Sequence, residues 1–392
     1  MTTINFSYIS DILLEQTVQQ FGEKNSHNIQ TNRITWDDAW TDIVREAIYR
    51  NPMDVSEIGS SWISDLCAMD VLHPFSRDEI SMLEAEGTFL PASWENCTNP
   101  FDCQVWSIPW TLDTRFLYYR RDLLEKAGVR AETAFVNDTA FKETLQALRD
   151  AGIPNPIVMP TQHTRMILHV SASWVWGNGG DFISPDARSA LFGHAKVIEA
   201  FCQYYELGKF LSPEMRNLQA IDSDAVFTHG NAAITITGPW LLRNPATLPE
   251  VWENTEITFP PGVPFIGGTN LILWHQSVDP LASLGLIRFL TSDAFQRKHF
   301  RDSGYLPSRI KSLASPDFSN DSRFSLLAPR LQEGRSFKPL PLWGWVEERL
   351  CTTLRQIWEE FFLVSDPDIH HLVHKRLNDL ERRLNLTLQQ QV

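Results

Sequence analysis

Any chemistry in this chain of 392 residues rests on indole rings and carboxylates, because those are the groups its turns deliver. The clearest case is the stretch Asp224–Leu242. Ala232–Thr237 alternates β-branched and small residues as a short strand does, and Gly238-Pro239 then breaks it and throws out Trp240. Ligands of α/β architectures collect at the carboxyl ends of strands. A Trp placed there is a lid on a site or a plug in a core, and plugs are the commoner case. Company favours the lid, since Trp62 and Trp110 follow similar strand ends. Acid–base work has weaker candidates, Glu347-Glu348 and Asp181. Glycoside hydrolysis needs two carboxyl groups ~5–9.5 Å apart. Adjacent helical residues do not face each other, so that pair reads as one solvated and one buried. The sequence shows no Ser nucleophile elbow, P-loop or metal spacing, and Gly177–Gly180 reads as a turn rather than a dinucleotide fingerprint. No catalytic residue, metal or cofactor is assigned.

Composition narrows the class. The length calls for two lobes. Hydrophobic content of 43% and charged content of 21% fit a globular protein, and no apolar run reaches membrane-span length. A net charge of −14 with no basic stripe argues against nucleic acid. Five Cys leave at least one unpaired within the chain. Cys97 and Cys103 flank a loop and could close a small disulfide in an oxidising compartment, whereas Cys67, Cys202 and Cys351 read as buried thiols. The first residues carry no charged, apolar and cleavage regions of a signal peptide, which predicts a cytoplasmic chain if Met1 is native.

The elements that would position these groups begin with strands at Thr3–Tyr8, Ile29–Ile34 and Asp54–Ile58, interleaved with helices at Asp11–Asn25 and Trp36–Arg50. Short connections between them predict a parallel sheet with covering helices. Val105–Arg120 reads as two strands joined through Pro109-Trp110. Phe141–Asp150, Ser171–Trp176, Lys196–Leu207 and Asp224–Gly230 read as helices, the last stopped by its glycine. Ile266–Trp274 is a glycine-kinked strand, and Pro280–Thr291, Ala294–Gly304, Ser322–Glu333, Trp343–Val364 and Asp368–Leu384 are helical. No linker separates two halves, which predicts lobes sharing crossing strands.

Four blocks in order resemble one family across nearly the whole chain: DVSEIGSSWI (Asp54–Ile63), IPWTLDTRFLYYRRDLL (Ile108–Leu124), the Ala225–Leu242 block, and Phe265–Leu290 with GYLPS (Gly304–Ser308). They are similar to blocks of the extracellular solute-binding proteins of ABC importers, in the sugar-binding, maltodextrin-binding-protein-like branch (family 1). The resemblance implies an α/β, two-lobe periplasmic-binding-protein-like fold of type II, each lobe a mixed sheet flanked by helices, with a ligand cleft closing by hinge motion. It implies lobes of residues 1–110 with 273–320, and of 111–272 with 321–392. It assigns Asp113 to the carboxylate that accepts from sugar hydroxyls, Trp240 to the stacking Trp, and Ser61 and Trp62 to the third strand end. Tyr8 and Ser10 match the first ligand-touching loop. Gly268 and Asn270 lie in the second crossing, and Trp343 and Trp345 fall in a later aromatic segment. Trp36, Trp110 and Trp174 complete the aromatic candidates; apart from the resemblance, Trp36 reads as packing, like Trp94, Trp252 and Trp358. Thr164–His169 departs from the branch, offering Arg and His where an aromatic often stands.

A sugar has apolar C–H faces that lie on indole rings and a hydroxyl rim that needs donors and acceptors. Asp113 beside Trp110, with Trp62 and Trp240, would supply both. The expected partners are therefore a small-molecule carbohydrate and an ABC permease, for a monomeric protein of the periplasm or cell surface. The same fold could instead serve as a cytoplasmic sugar sensor, and the two are distinguished by what precedes the chain: an export signal, or a DNA-binding or kinase segment.

Overall fold

The computed structural model describes residues 2–9, 12–49, 53–99, 102–162, 164–320, 322–325, 327–338, 340 and 342–388. Its strands are β1 (Thr2–Tyr8), β2 (His27–Arg33), β3 (Val55–Gly59), β4 (Ile108–Thr114), β5 (Phe116–Arg120), β6 (Ile157–Val158), β7 (Ile234–Thr237), β8 (Thr255–Thr258), β9 (Ile266–Leu273) and β10 (Leu306–Pro307). The chain divides into two compact units. One comprises Met1–Asp113, Ile266–Gln332 and Ser336–Gly344; the other comprises Thr114–Phe265, Glu333–Arg335 and Trp345–Val392.

The first unit is built on a sheet of order β10-β4-β9-β3-β1-β2. β1 runs parallel to β2 and β3, as the strand–helix alternation predicts, but β9 enters antiparallel to β3 and makes the sheet mixed. Its central strand β9 is apolar on both faces. Leu271 and Leu273 of β9 pack with Ile4, Phe6 and Val55, while Ile272 packs with Ile43, Ile58 and Trp62 on the other side. A strand buried on both faces needs a helical layer on each, which the segments Ile12–Asn25 and Trp36–Tyr49 begin to supply. β9 can lie tight against β4 because residue 268 is glycine. Its φ is 134°, and a Cβ there would stand 2.0 Å from the Thr111 carbonyl oxygen.

The second unit holds a four-stranded sheet of order β6-β7-β5-β8, with β5 antiparallel to both β7 and β8 and β6 parallel to β7. The helices Thr164–Gly177, Ala195–Glu206 and Ile369–Leu388, with the helix Trp343–Leu363 from Trp345 onward, supply its apolar bulk. Tyr204, Tyr205 and Trp358 meet there at ring-centroid distances of 4.7–5.6 Å, in the edge-to-face geometry aromatic quadrupoles favour. Each unit is thus a mixed sheet flanked by helices, and the fold is α/β.

Several local expectations change. The break in Val105–Arg120 falls at Arg115, not at Pro109-Trp110, and β4 runs straight through both residues. β10 pairs only with Thr111 and Leu112, so the missing N–H of Pro109 lies outside that ladder. The division between units falls at 113/114 and 265/266 instead of the expected 110/111 and 272/273; β9 pairs with β3 over Thr269–Leu273 and so stays with the first unit. The segment expected as a helix over 322–333 is helical over Ser322–Ser325 and Leu327–Gln332; residue 326 lies outside the described residues. Cys97 and Cys103 are not bridged: all five thiols are free, Cys97 buried and Cys103 exposed.

Candidate solute-binding site

In the second unit the sequence around Trp240 folds as its residues dictate. β7 ends at Thr237, Gly238 is extended, and Pro239 opens a short 3-10 turn, Pro239–Arg243. The Trp240 ring folds back over residue 238, where a Cβ would lie 1.9 Å from the indole. Only glycine permits that arrangement. The indole N–H donates to Asp224 Oδ2 at 2.7 Å, while the side chain stays 40% exposed. Its polar edge is therefore fixed inside and part of its apolar surface left in solvent. Tyr118 Oη of β5 donates to the Gly238 carbonyl at 2.9 Å and ties the turn to the sheet.

Cations line the same region. The Arg115 guanidinium stands 5.3 Å from the Trp240 ring and 5.5 Å from the Phe265 ring, within cation–π range of both. It donates to the Thr114 carbonyl at 2.6 Å and meets His169 Nδ1 at 2.7 Å. Arginine has no acceptor atom, so Nδ1 must accept and the neutral ring carries its proton on Nε2. That nitrogen faces Glu347 Oε1 at 3.9 Å. His169 also stacks on Phe265 at 4.3 Å. Beyond Phe265 lies Trp176, stacked at 6.5 Å, and beyond that Arg335, 5.2 Å from the Trp176 ring and paired to Asp181 at 2.7 Å. The result is a row of rings and cations, with Trp240 its most exposed ring.

The first unit carries its own aromatic group. Trp36 opens the helix Trp36–Tyr49 and is 44% exposed, meeting Trp62 edge-on at 6.0 Å. Trp62 is buried against Gly59 and Trp40, and Ser61 beside it is half-buried. Glu57 of β3 is buried and accepts from the Ile9 amide at 2.6 Å, fixing the end of β1.

Residues 16–325 match the family described as bacterial extracellular solute-binding protein, about four-fifths of the sequence. The chain belongs to that family. Its fold is also that of solved structures with little sequence in common. The sugar-binding protein MalE of Xanthomonas citri superposes with a TM-score of 0.85 at 18% identity, covering 100% of this chain and 98% of that one. An ABC-transporter solute-binding protein of Thermotoga lettingae, bound to α-D-tagatose, gives 0.83 at 16% identity over 99% and 100% of the two chains. Maltose-bound MalE3 of T. maritima gives 0.81 at 17% identity over 97% and 100%. The family is one of binding proteins rather than enzymes, and it works outside the cytoplasm. No helix among the described residues is long and apolar enough to cross a membrane.

Within this solute-binding protein the remaining site expectations sort by burial. Trp110 is buried, edge-on to Phe6 and stacked on His299, and presents no face to a ligand. The pairing of Asp113 beside Trp110 fails for a geometric reason: residues three apart on a strand point to opposite faces. Asp113 itself is half-buried at the end of β4. Trp174 is buried against Tyr204, with its N–H on Asp138 at 3.0 Å, and Trp343 is buried on Phe337 at 5.1 Å, so both belong to the interior. Tyr8 is buried in the first unit's core, stacked on Phe6. Gly268 serves the close approach to β4, and Asn270 donates to Ser107 Oγ at 3.1 Å and packs with Cys97. Trp345 is half-buried at the start of its helix; Ser10 lies outside the described residues. Glu347 is buried and Glu348 exposed, as expected of adjacent helical residues. Sequence reasoning missed Asp224, taken as the opening of a helix that in fact starts at Ala220. The signal was there. Residues 223, 224, 227 and 228 form one buried stripe at helical spacing, and Asp224 is the acid within it.

Proposed function

We propose that this solute-binding protein carries a sugar or oligosaccharide and delivers it to the transmembrane permease of an ABC importer. The observation that supports the ligand class most directly is Trp240. Its indole N–H is locked to Asp224 at 2.7 Å while 40% of the side chain is left in solvent. A ring held by its edge and open on its apolar surface suits the C–H face of a pyranose or furanose. The first unit, taken by itself, exposes Trp36 and carries the Ser61 hydroxyl and the half-buried Asp113 carboxylate, groups of the kind that sugar C–H faces and hydroxyls meet. The three structural relatives named above agree in ligand class, each called sugar-binding or holding a sugar. The protein acts as a monomer in the periplasm or at the cell surface. Family membership favours this over a cytoplasmic sensor. A micromolar dissociation constant corresponds to about −8 kcal/mol, which one or two stacked rings and a few charge-assisted hydroxyl bonds of ~1.5–3 kcal/mol each can reach.

The test is a tryptophan-fluorescence titration with mono-, di- and trisaccharides, including tagatose and maltose. A saturable response to at least one sugar is expected. Silence across the sugars, with a tight response to a phosphate ester or a peptide, would overturn the assignment.

A further inference from the structure

Asp224 holds the Trp240 ring by its edge, and that it is a buried acid is more than stacking on the ring by itself requires. It sits one turn into the helix Ala220–Thr228, whose start is already capped by Gln219 and Asp222, so it is not there to satisfy the helix end. Its side chain turns into the interior with Ser223, Phe227 and Thr228. A buried carboxylate is costly unless a donor meets it. Here the donor is the indole N–H of a ring that is itself half in solvent.

Few groups face that carboxylate. From the turn after β7 comes Trp240, from β7 the Thr237 hydroxyl, and from between β4 and β5 the Arg115 guanidinium, whose charge acts on Asp224 and which also lies against the Trp240 ring. Tyr118 of β5 is engaged with the Gly238 carbonyl. Arg115 stays charged at any working pH. The acid itself is the group that changes state.

We propose that Asp224 is a positioning residue: its ionised carboxylate sets the plane of the Trp240 ring, and its protonation loosens that ring and weakens solute binding as the surroundings acidify. The positioning half stands on the second unit alone, while the binding half rests on Trp240 being the sugar-stacking surface. Burial pushes the Asp224 carboxyl up to about 6, against the opposing pull of Trp240, Thr237 and Arg115. Mild acid is therefore enough to switch it. The direct bond changes from charge-assisted to neutral, which lowers affinity by about 5-fold if the ring's order is lost with it.

The experiment uses the whole chain with its Trp residues labelled with 15N, the Trp240 indole signal being identified by its loss in Trp240→Phe. In the wild type that signal should move between pH 7.5 and 5, and in Asp224→Asn it should stay still. A wild-type signal that does not move, or one that moves equally in Asp224→Asn, overturns the positioning role. In parallel, affinity for whichever of maltose or tagatose binds should fall about 5-fold over the same range in the wild type. It should be flat in Asp224→Asn and in Trp240→Phe, the latter keeping the acid but lacking the donor. A titrating indole with pH-independent wild-type affinity overturns the binding half. Unaltered affinity in Trp240→Ala refutes the stacking role of Trp240 instead, and leaves the indole titration to decide the positioning role.

Discussion

Gly238→Ala tests the Trp240 geometry without touching the ring or its partner. The backbone at 238 has φ −83° and ψ 177°, which alanine adopts freely, so the substitution acts through space alone. The added methyl would stand 1.9 Å from one ring carbon and 2.3 Å from two others. Carbon atoms in contact sit about 3.5–4.0 Å apart, so the ring must retreat by roughly 1.5 Å. The bond from the indole to Asp224 is 2.7 Å long and cannot follow such a move within the ~3.2 Å limit of a good hydrogen bond. Losing it removes about 1.5–3 kcal/mol. A sugar resting on the displaced ring would lose a further ~1–3 kcal/mol, by analogy with base–aromatic stacking. Calorimetric titration with the best-binding sugar should show affinity at least tenfold weaker. A melting curve should fall by only several degrees, at ~2–4 °C per kcal/mol for a unit of this size. Affinity within twofold of the wild type would refute the reasoning, since either the ring would not lie against residue 238 or the sugar would not rest on it.

Stability should register the buried acid as well. The Asp224 carboxyl is raised from 3.8 to about 6, so between pH 4 and 6 the folded chain binds more protons than the unfolded one, and this group's contribution falls as pH rises. Asparagine cannot titrate, so the stability of Asp224→Asn relative to the wild type should grow by up to about 3 kcal/mol from pH 4 to 7, read from urea midpoints, and a constant difference would count against the raised pKa. Arg115→Lys keeps the charge but not the planar fork that reaches Thr114, His169 and two rings; it should cost about 2–4 kcal/mol in chemical denaturation and weaken sugar binding, whereas wild-type behaviour would show the stacking to be incidental. Thiol labelling at pH 8 should modify the exposed Cys103 first and leave Cys97 untouched, its thiol being pushed up to about 12 by burial; equal rates would contradict that burial.

Much of the fold was legible because its signals are local. Alternation marked β1 and β7, acidic first turns marked the helix Trp36–Tyr49, and four ordered blocks carried the family. Trp240 was legible for a similar reason: a glycine and a proline after a strand leave the next residue few places to go. Trp110 shows where that logic fails. Pro109-Trp110 repeats the proline and tryptophan of that signal without the glycine, and the strand continues because β10 makes no demand on residue 109. Nothing local reveals which edge of a strand stays unpaired. Parity along β4 would have separated Trp110 from Asp113 had one unbroken strand been assumed. Arg115, His169 and Phe265 are brought together by tertiary packing from positions more than fifty residues apart, and no spacing rule reaches that far.

The position of β9 has a consequence for synthesis. It lies between β4 and β3, although it is translated some 150 residues after β4. Until it leaves the ribosome, β3 and β4 each keep a bare hydrogen-bonding edge, for roughly 8–30 s at ordinary elongation rates. The later-made strands β5 to β8 are contiguous in the message, so their sheet can close while the first still waits. A nascent chain of this kind is a natural client for chaperones that shield unpaired strands.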